Sequence, residues 1–438
     1  MRPVGSFESP PASTHITADV AIVGGGPVGC VAALAFARTG ASVCLVDANA
    51  QSARLAGEWL HPTGASILSS LGVDLNAIGV AHTIGRGFAI FPANTDPIVL
   101  PYVGGELGLG CQHHLLVGAL QKILAARPGI TFLAGCRVGE VAHGRITAVT
   151  ADRQTAIDVL APLVVGADGR QSIVRQSLGY SGACRPVSYM VGMLIDAAAL
   201  PFTEYGNVFL GGPGPVLAFR VDSQYARVCV DVPADRVEWV RKPTDMLAAF
   251  RVALPPNMHA ACQRSLAETP PAVAANQLLP RRQYGCAGLA LVGDAVGHCH
   301  PLCAVGMSVG FLDAVTLAQS RSVEEYAQTR RTAGRVPELL SMGLYDLFVG
   351  SDASAQELRE AVYRLWRTSA AARRDTMRLL AVRETRRAAL GVTFARLLST
   401  ASRQVIAGSL SRPFSHTLGA VTGFGRWAGW FARESLVG

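Results

Sequence analysis

One stretch near the amino terminus constrains this chain more than any other: the apolar run Val20-Ala21-Ile22-Val23 followed directly by Gly24-Gly25-Gly26-Pro27-Val28-Gly29. The apolar run reads as a buried strand and the alanine-rich run after it as a helix over 30–38, which places G-x-G-x-x-G on a strand-to-helix turn. Gly24 permits the tight turn, Gly26 lets a pyrophosphate approach the backbone, and Gly29 allows the helix to pack closely; Pro27 and Val28 belong to the same cofactor-facing turn. The helix N-terminus adds free amides and a positive dipole end for the phosphates. The next apolar strand ends in Asp47, about twenty residues on, where a carboxylate can accept hydrogen bonds from an adenosine ribose. A plain structural turn explains the glycines but not strand, helix and Asp47 together. The segment 19–47 therefore opens an α/β domain as a dinucleotide-binding βαβ unit.

The rest of the chain is divided by texture. A helix is expected over 113–126, with Leu116, Leu120 and Ile123 on one face, then strands at 131–133 and around 160–165. Between 187 and 233 the runs become β-rich; 216–221 and 227–232, separated by Asp222-Ser223-Gln224, read as antiparallel strands of a second domain. From 310 onward the pattern is helical, with breaks expected near Pro337, Gly350 and Pro413. The 438 residues suffice for two to three domains. The Pro-, Ser- and Thr-rich segment 1–17 lacks an apolar signal core and reads as a disordered lead. Ten cysteines without CxxC spacing sit in apolar runs, as small hydrophobes in a reducing cytoplasm would. No histidine set has metal-ligand spacing, so no metal is expected.

Two later motifs choose the dinucleotide. Val164-Val165-Gly166-Ala167-Asp168-Gly169-Arg170 resembles the second signature of the flavoprotein hydroxylases, and Leu291-Val292-Gly293-Asp294-Ala295 resembles their third. Asp-Gly alone is a common turn pair, but the three motifs stand in the family's order. The resemblance implies FAD rather than NAD, with Asp294 on the ribitol hydroxyls and Asp168 in the same site. With one dinucleotide fingerprint only, electrons would come from transiently bound NAD(P)H or from a partner reductase.

Two stretches resemble the squalene monooxygenase (squalene epoxidase) family more specifically. Arg54-Leu55-Ala56-Gly57-Glu58-Trp59-Leu60-His61-Pro62-Thr63-Gly64 is similar to its R-x-x-G-E-x-L-Q-P-x-G segment, and Gly293-Asp294-Ala295 with His300-Pro301-Leu302-Cys303-Ala304-Val305-Gly306-Met307 to its G-D-A-x-x-x-R-H-P-L-T-G-G-G-M. Carried over by position, Arg54 would hold the pyrophosphate and Val138 a backbone contact near the adenine. Pro301, Gly306 and Met307 would lie against the flavin, with His113 contributing from its helix. His61 stands where the family has glutamine and is the candidate catalytic residue; Phe88 stands where it has tyrosine and is the candidate substrate-pocket residue. Ala304-Val305-Gly306 replaces a glycine triplet, which reshapes the reactive face. The implied architecture is an FAD-binding Rossmann-like domain (18–80, 103–180, 281–330), an inserted antiparallel-sheet substrate domain (81–102, 181–280) and a helical C-terminal region (331–438).

The function expected is an FAD-dependent monooxygenase that inserts one oxygen atom from O2 into an apolar polyene, terpenoid or polyketide-like molecule by epoxidation or hydroxylation. Two alternatives stand beside it. A prenyl double-bond reductase of the geranylgeranyl reductase type shares the fold and a G-D-A-x-G start, and a degenerate flavoprotein could serve as a scaffold. The tail is basic: 359–434 holds 14 arginines against Glu360, Asp375, Glu384 and Glu434. With no nucleic-acid motif, an anionic membrane surface or protein partner is the better fit. Arg396, Arg403, Arg412, Arg426 and Arg433, interleaved with Phe424, Trp427, Trp430 and Phe431, suit either a lipid interface or a helical cap packed on the body. The expected location is cytoplasmic, with a peripheral membrane contact as the first of these two readings.

Overall fold

The computed structural model describes residues 12–49, 58–93, 95–180, 185–409 and 413–436. A six-stranded sheet carries the amino-terminal motif, in the order Gly285–Cys286, Leu289–Leu291, Leu163–Gly166, Val20–Val23, Val43–Asp47, Ile130–Ala134. The pairings are parallel apart from the first. Val20–Val23 is buried at every position, as expected of a parallel strand covered on both faces. Because Val20–Val23, Leu163–Gly166 and Leu289–Leu291 run parallel, their following turns emerge at one carboxyl edge, where open α/β sheets bind ligands.

The helix Pro27–Arg38 begins with proline in its first turn, where a missing amide costs nothing, and it is followed by Gly40 at φ +88. It buries a continuous run from Gly29 to Phe36. Against it lies the helix Gly306–Gln319, so close that a Cβ at Gly310 would stand 2.5 Å from a methyl of Val28.

Ala12–Thr17 is a strand, paired in parallel with Thr155–Leu160 at the edge of a four-stranded sheet completed by Arg145–Thr150 and Cys136–Ala142. The expectation of disorder through residue 17 is thus corrected for 12–17: β-branched Thr14, Ile16 and Thr17 find a sheet edge to extend. Residues 1–11 lie outside the described residues. A seven-stranded sheet runs Ala272–Leu278, Arg185–Asp196, Tyr225–Pro233, Val216–Arg220, Gly206–Phe209, Gly87–Phe91, Ile98–Pro101. It is antiparallel except between Gly206–Phe209 and Gly87–Phe91. His82–Gly85 instead joins Gly108–Cys111 and Trp59–Leu60 in a small third layer.

The break expected at Pro337 does not occur; one helix runs Val323–Val349 with Pro337 inside it. An internal proline costs about 3 kcal/mol, and here Val336 and Leu339 on either side are buried in a cluster with Leu379 and Leu390 that offsets it. The helix does end at Gly350. Ala353–Thr368, Ala370–Leu380, Arg387–Gly408 and Phe414–Leu436 follow; Asp352 and Ser369 cap the first two through side-chain bonds to free amides. Among the described residues no helix is long and apolar enough to cross a membrane. The nine described cysteines are free thiols, eight of them buried.

Candidate functional site

A cavity of about 840 Å³ opens at the carboxyl edge of the six-stranded sheet, between it and the inner face of the seven-stranded sheet. Gly24, Gly26, Pro27, Val28, Asp47, His113, Val138, Asp168, Asp294, Pro301, Gly306 and Met307 all line it. Residues far apart in sequence thus converge on one wall. Arg54 lies outside the described residues.

The glycines divide by what a side chain would meet. Gly24 has φ +105, a conformation costly for other residues, and a Cβ there would stand 2.6 Å from Ala167 O. A Cβ at Gly29 would stand 1.8 Å from Gly24 O, so this glycine lets the helix close on the turn rather than facing the cavity. At Gly26 and Gly306 a Cβ would meet nothing within 4 Å. Both line the cavity, so the space a methyl would take is ligand space. Asp47 braces the turn: Oδ2 accepts from Gly25 N at 2.9 Å and Oδ1 from Asn49 N at 2.9 Å.

The opposite rim carries acceptors. Asp168 Oδ2 accepts from Ile173 N at 2.7 Å, its Oδ1 is buried without a partner, and burial pushes its pKa up. Asp294 Oδ2 takes His298 Nδ1 at 3.1 Å. Burial works against an Asp294 charge, but His298, Arg170 and Arg281 outweigh it and hold its pKa below the usual value.

Behind this rim lies an anchor that the sequence reading did not single out. Asp313, fully buried, accepts from Gly293 N at 2.9 Å and Arg330 Nε at 2.7 Å, and pairs with Arg281. Arg281 Nη1 in turn donates to Gly293 O at 2.9 Å and Gly297 O at 2.8 Å. A buried carboxylate persists only when paired and hydrogen-bonded. This one holds the backbone of the Asp294 turn. The available signal was Asp313, the lone charged residue in the run 305–318.

His61 and Phe88 are placed differently from the expectation of reactive and substrate-contacting groups: neither lines the cavity. His61 is fully buried, and both ring nitrogens are engaged, Nε2 with Cys303 O at 2.8 Å and Nδ1 with the Tyr102 hydroxyl at 2.9 Å. Tyr102 accepts from Trp59 Nε1 at 3.1 Å. Burial pushes the His61 pKa down to about 4, which keeps the ring neutral. Phe88 packs behind Trp59, ring centroids 5.6 Å apart, and it is Trp59 that reaches the cavity. The residue expected at the wall is displaced one layer outward because an indole is long enough to cover it.

His300 anchors the same loop from the other side. Its Nδ1 accepts from Leu302 N at 3.3 Å and its Nε2 faces Ser188 Oγ at 3.1 Å and Asp231 Oδ2 at 3.3 Å. Burial lowers the His300 pKa to about 3 and raises that of Asp231 to about 7. Next to Cys303, Ala304 adopts φ +52, left-handed for a non-glycine residue, on the cavity wall at a position where the family motif has a glycine. The seven-stranded sheet adds an apolar stretch of wall, Met190, Leu217, Phe219, Cys229 and Ala274, with Asn276 beside it. Glu58, also on the wall, is held by Arg227 in a two-point bond at 2.6 and 2.9 Å.

The donor set fits FAD. Backbone amides at a helix N-terminus with a Cβ-free approach suit a pyrophosphate, and the unsatisfied Asp168 Oδ1 with the Asp294 carboxylate opposite suits hydroxyls.

Comparison with known proteins agrees. The family model described as squalene epoxidase matches residues 160–414. Squalene monooxygenase of Candida glabrata is 26% identical over 414 residues, covering 81% of this chain and 83% of that protein. Squalene epoxidase of Aspergillus fumigatus is 27% identical over 386 residues, covering 80% and 79%. Among solved structures, p-nitrophenol 4-monooxygenase PnpA of Pseudomonas putida superimposes with a TM-score of 0.68 at 19% identity, covering 84% of this chain and 99% of that one. HpxO of Klebsiella pneumoniae, complexed with FAD, does so with 0.64 at 20%, covering 84% and 99%. The reductase and scaffold alternatives give way, and the chain belongs to the squalene epoxidase family of FAD-dependent monooxygenases.

Proposed function

We propose that the enzyme epoxidises a carbon–carbon double bond of an apolar isoprenoid polyene of the squalene type. The observation that carries this reading is the division of one cavity into a polar dinucleotide end and an apolar end walled by Trp59, Met190, Leu217 and Phe219. The names of the relatives support the substrate class.

Bound FAD, once reduced, supplies the activation of O2 and delivers one oxygen atom. The protein binds, orients and excludes water. Gly24, Gly26 and the first amides of the Pro27–Arg38 helix take the pyrophosphate, with Pro27 and Val28 beside it; Asp47 takes the adenosine ribose; Asp168 and Asp294 take hydroxyls. His113, Val138, Pro301, Gly306 and Met307 form the remaining contacts. An alkene carries no proton to remove, so the apolar end needs no general base, and the engagement of both His61 nitrogens is no obstacle. His61 acts as a positioning residue, fixing Cys303 O and so the loop that carries Ala304. The overall balance is alkene plus O2, NAD(P)H and a proton giving epoxide, water and NAD(P)+; NAD(P)H or a partner reductase supplies the electrons.

The test is incubation of the FAD-loaded enzyme with squalene, NAD(P)H, a flavin reductase and 18O2. One 18O atom per product, in an oxirane, is the expected result. A product with a saturated double bond and no label sinks the epoxidation reading.

A further inference from the structure

The cavity wall contains an imidazole that the motif resemblance leaves unassigned. His298 falls on an unspecified position of the G-D-A-x-x-x-R-H-P pattern, yet it lines the cavity beside Asp294. Its side chain is 14% exposed, and its Nε2 is buried without a hydrogen-bond partner. Its placement is fixed from behind. His298 N donates to Leu279 O at 2.8 Å, and the carbonyl of the preceding Gly297 is held by Arg281 Nη1 at 2.8 Å. The tautomer follows from chemistry: the Asp294 carboxylate only accepts, so Nδ1 carries the hydrogen it donates at 3.1 Å, and Nε2 is the ring nitrogen left with the lone pair.

A buried nitrogen acceptor left unsatisfied is costly, and a ligand hydroxyl relieves that cost whereas a phosphate oxygen would be repelled. Asp168 Oδ1 is a second buried acceptor on the same wall without a partner. Unsatisfied acceptors of this kind complement ligand hydroxyls.

Building on the FAD reading above, we propose that His298 is a cofactor-contacting residue whose Nε2 accepts a hydrogen bond from a hydroxyl of the ribityl chain. Asp294 serves the same chain both directly and by orienting His298. The ribityl grip in this protein then contains an imidazole that the family motif does not specify.

The experiment strips the full-length chain of flavin and titrates FAD by fluorescence into wild type, His298→Leu and His298→Gln. Each is titrated also with FAD analogues lacking the 2′-, 3′- or 4′-ribityl hydroxyl. His298→Leu is expected to weaken FAD binding about five- to tenfold, the range of one hydrogen bond. One deoxy analogue should bind wild type correspondingly weakly and lose nothing further in His298→Leu. His298→Gln carries the same comparison should the leucine variant not fold.

Unchanged FAD affinity overturns the proposal, as does an equal loss for every analogue, which is the signature of a purely structural residue. A matching loss of affinity for adenosine diphosphate would overturn it in favour of a phosphate contact. Wild-type protein that takes up no FAD at all would instead strike the cofactor reading on which the proposal rests.

Discussion

Replacing Gly26 and Gly29 separately by alanine should divide cofactor binding from folding. At Gly26 the backbone is φ −69, ψ −179, which alanine adopts freely, and a methyl would meet no protein atom within 4 Å. Stability of the flavin-free Gly26→Ala chain should therefore be unchanged or raised by about 0.4–1 kcal/mol through a stiffer unfolded chain. Its methyl would occupy the path of the pyrophosphate, so FAD affinity should fall by well over tenfold. At Gly29 a methyl would stand 1.8 Å from Gly24 O and 3.3 Å from Ala167 Cβ, both held by the sheet edge, so the helix must back away. Over-packing of this kind costs about 1–3 kcal/mol, and it appears before any cofactor is added. The assay is a thermal melt with and without FAD. At a hundredfold excess over Kd a ligand adds about 2.7 kcal/mol. With an unfolding entropy of about 2.1 cal/mol/K per residue over 438 residues, that raises the wild-type midpoint by about 3 °C if the chain melts as one unit. Gly26→Ala should lose this increment from an unshifted baseline, and Gly29→Ala should start from a lowered one. A Gly26→Ala protein that keeps the full increment would refute the placement of the pyrophosphate over this turn.

Three other perturbations have defined signs. Glu58→Gln leaves Arg227, 13% exposed, without its counter-charge and should cost about 3–5 kcal/mol in urea unfolding, much of it recovered in Glu58→Gln/Arg227→Met. His61 has its folded pKa lowered to about 4 from a usual 6.5, so its stabilisation is complete above pH 6.5 and is lost as the pH falls toward 4. At 1.36 kcal/mol per unit this is of the order of 3 kcal/mol; His61→Gln should lose that much less stability between pH 6.5 and 4, and an unaltered difference would count against a neutral buried imidazole. Finally, Phe414, Leu418 and Val421 are exposed on the Phe414–Leu436 helix, and Arg426 on that helix and Arg403 on the preceding one are exposed as well. If this face meets an anionic membrane, their replacement by serine should lower co-sedimentation with phosphatidylserine vesicles severalfold; undiminished binding would remove the membrane reading.

That last surface shows how sequence and structure share the work. The four tail aromatics expected at either a lipid interface or a packed cap all turn toward other helices, and the exposed apolar side chains come from positions outside that set. Phe424 is buried, Phe431 stacks on Phe394 at 4.5 Å, and Trp427 and Trp430 line an apolar crevice among the helices, while Phe414 stays exposed. Helical periodicity names an apolar face but not what covers it.

The dinucleotide turn was legible from residues alone because its requirements are local: Gly24 needs a positive φ, Gly26 open space, and Asp47 the end of the next strand. The order of the three motifs likewise pointed to FAD, and the stretches 54–64 and 293–307 to the family, since each is a contiguous segment with its own turn chemistry. What sequence could not decide depended on partners distant along the chain. Asp313 reaches across 20 residues to Gly293 N, His61 across 242 to Cys303 O, and Pro337 is tolerated because Leu379 and Leu390 fold back onto its helix. Strand, turn and helix are written by neighbours three or four residues apart, whereas which nitrogen is satisfied, which ring is covered and which wall faces the ligand are settled by the packing of elements that only the tertiary structure brings together.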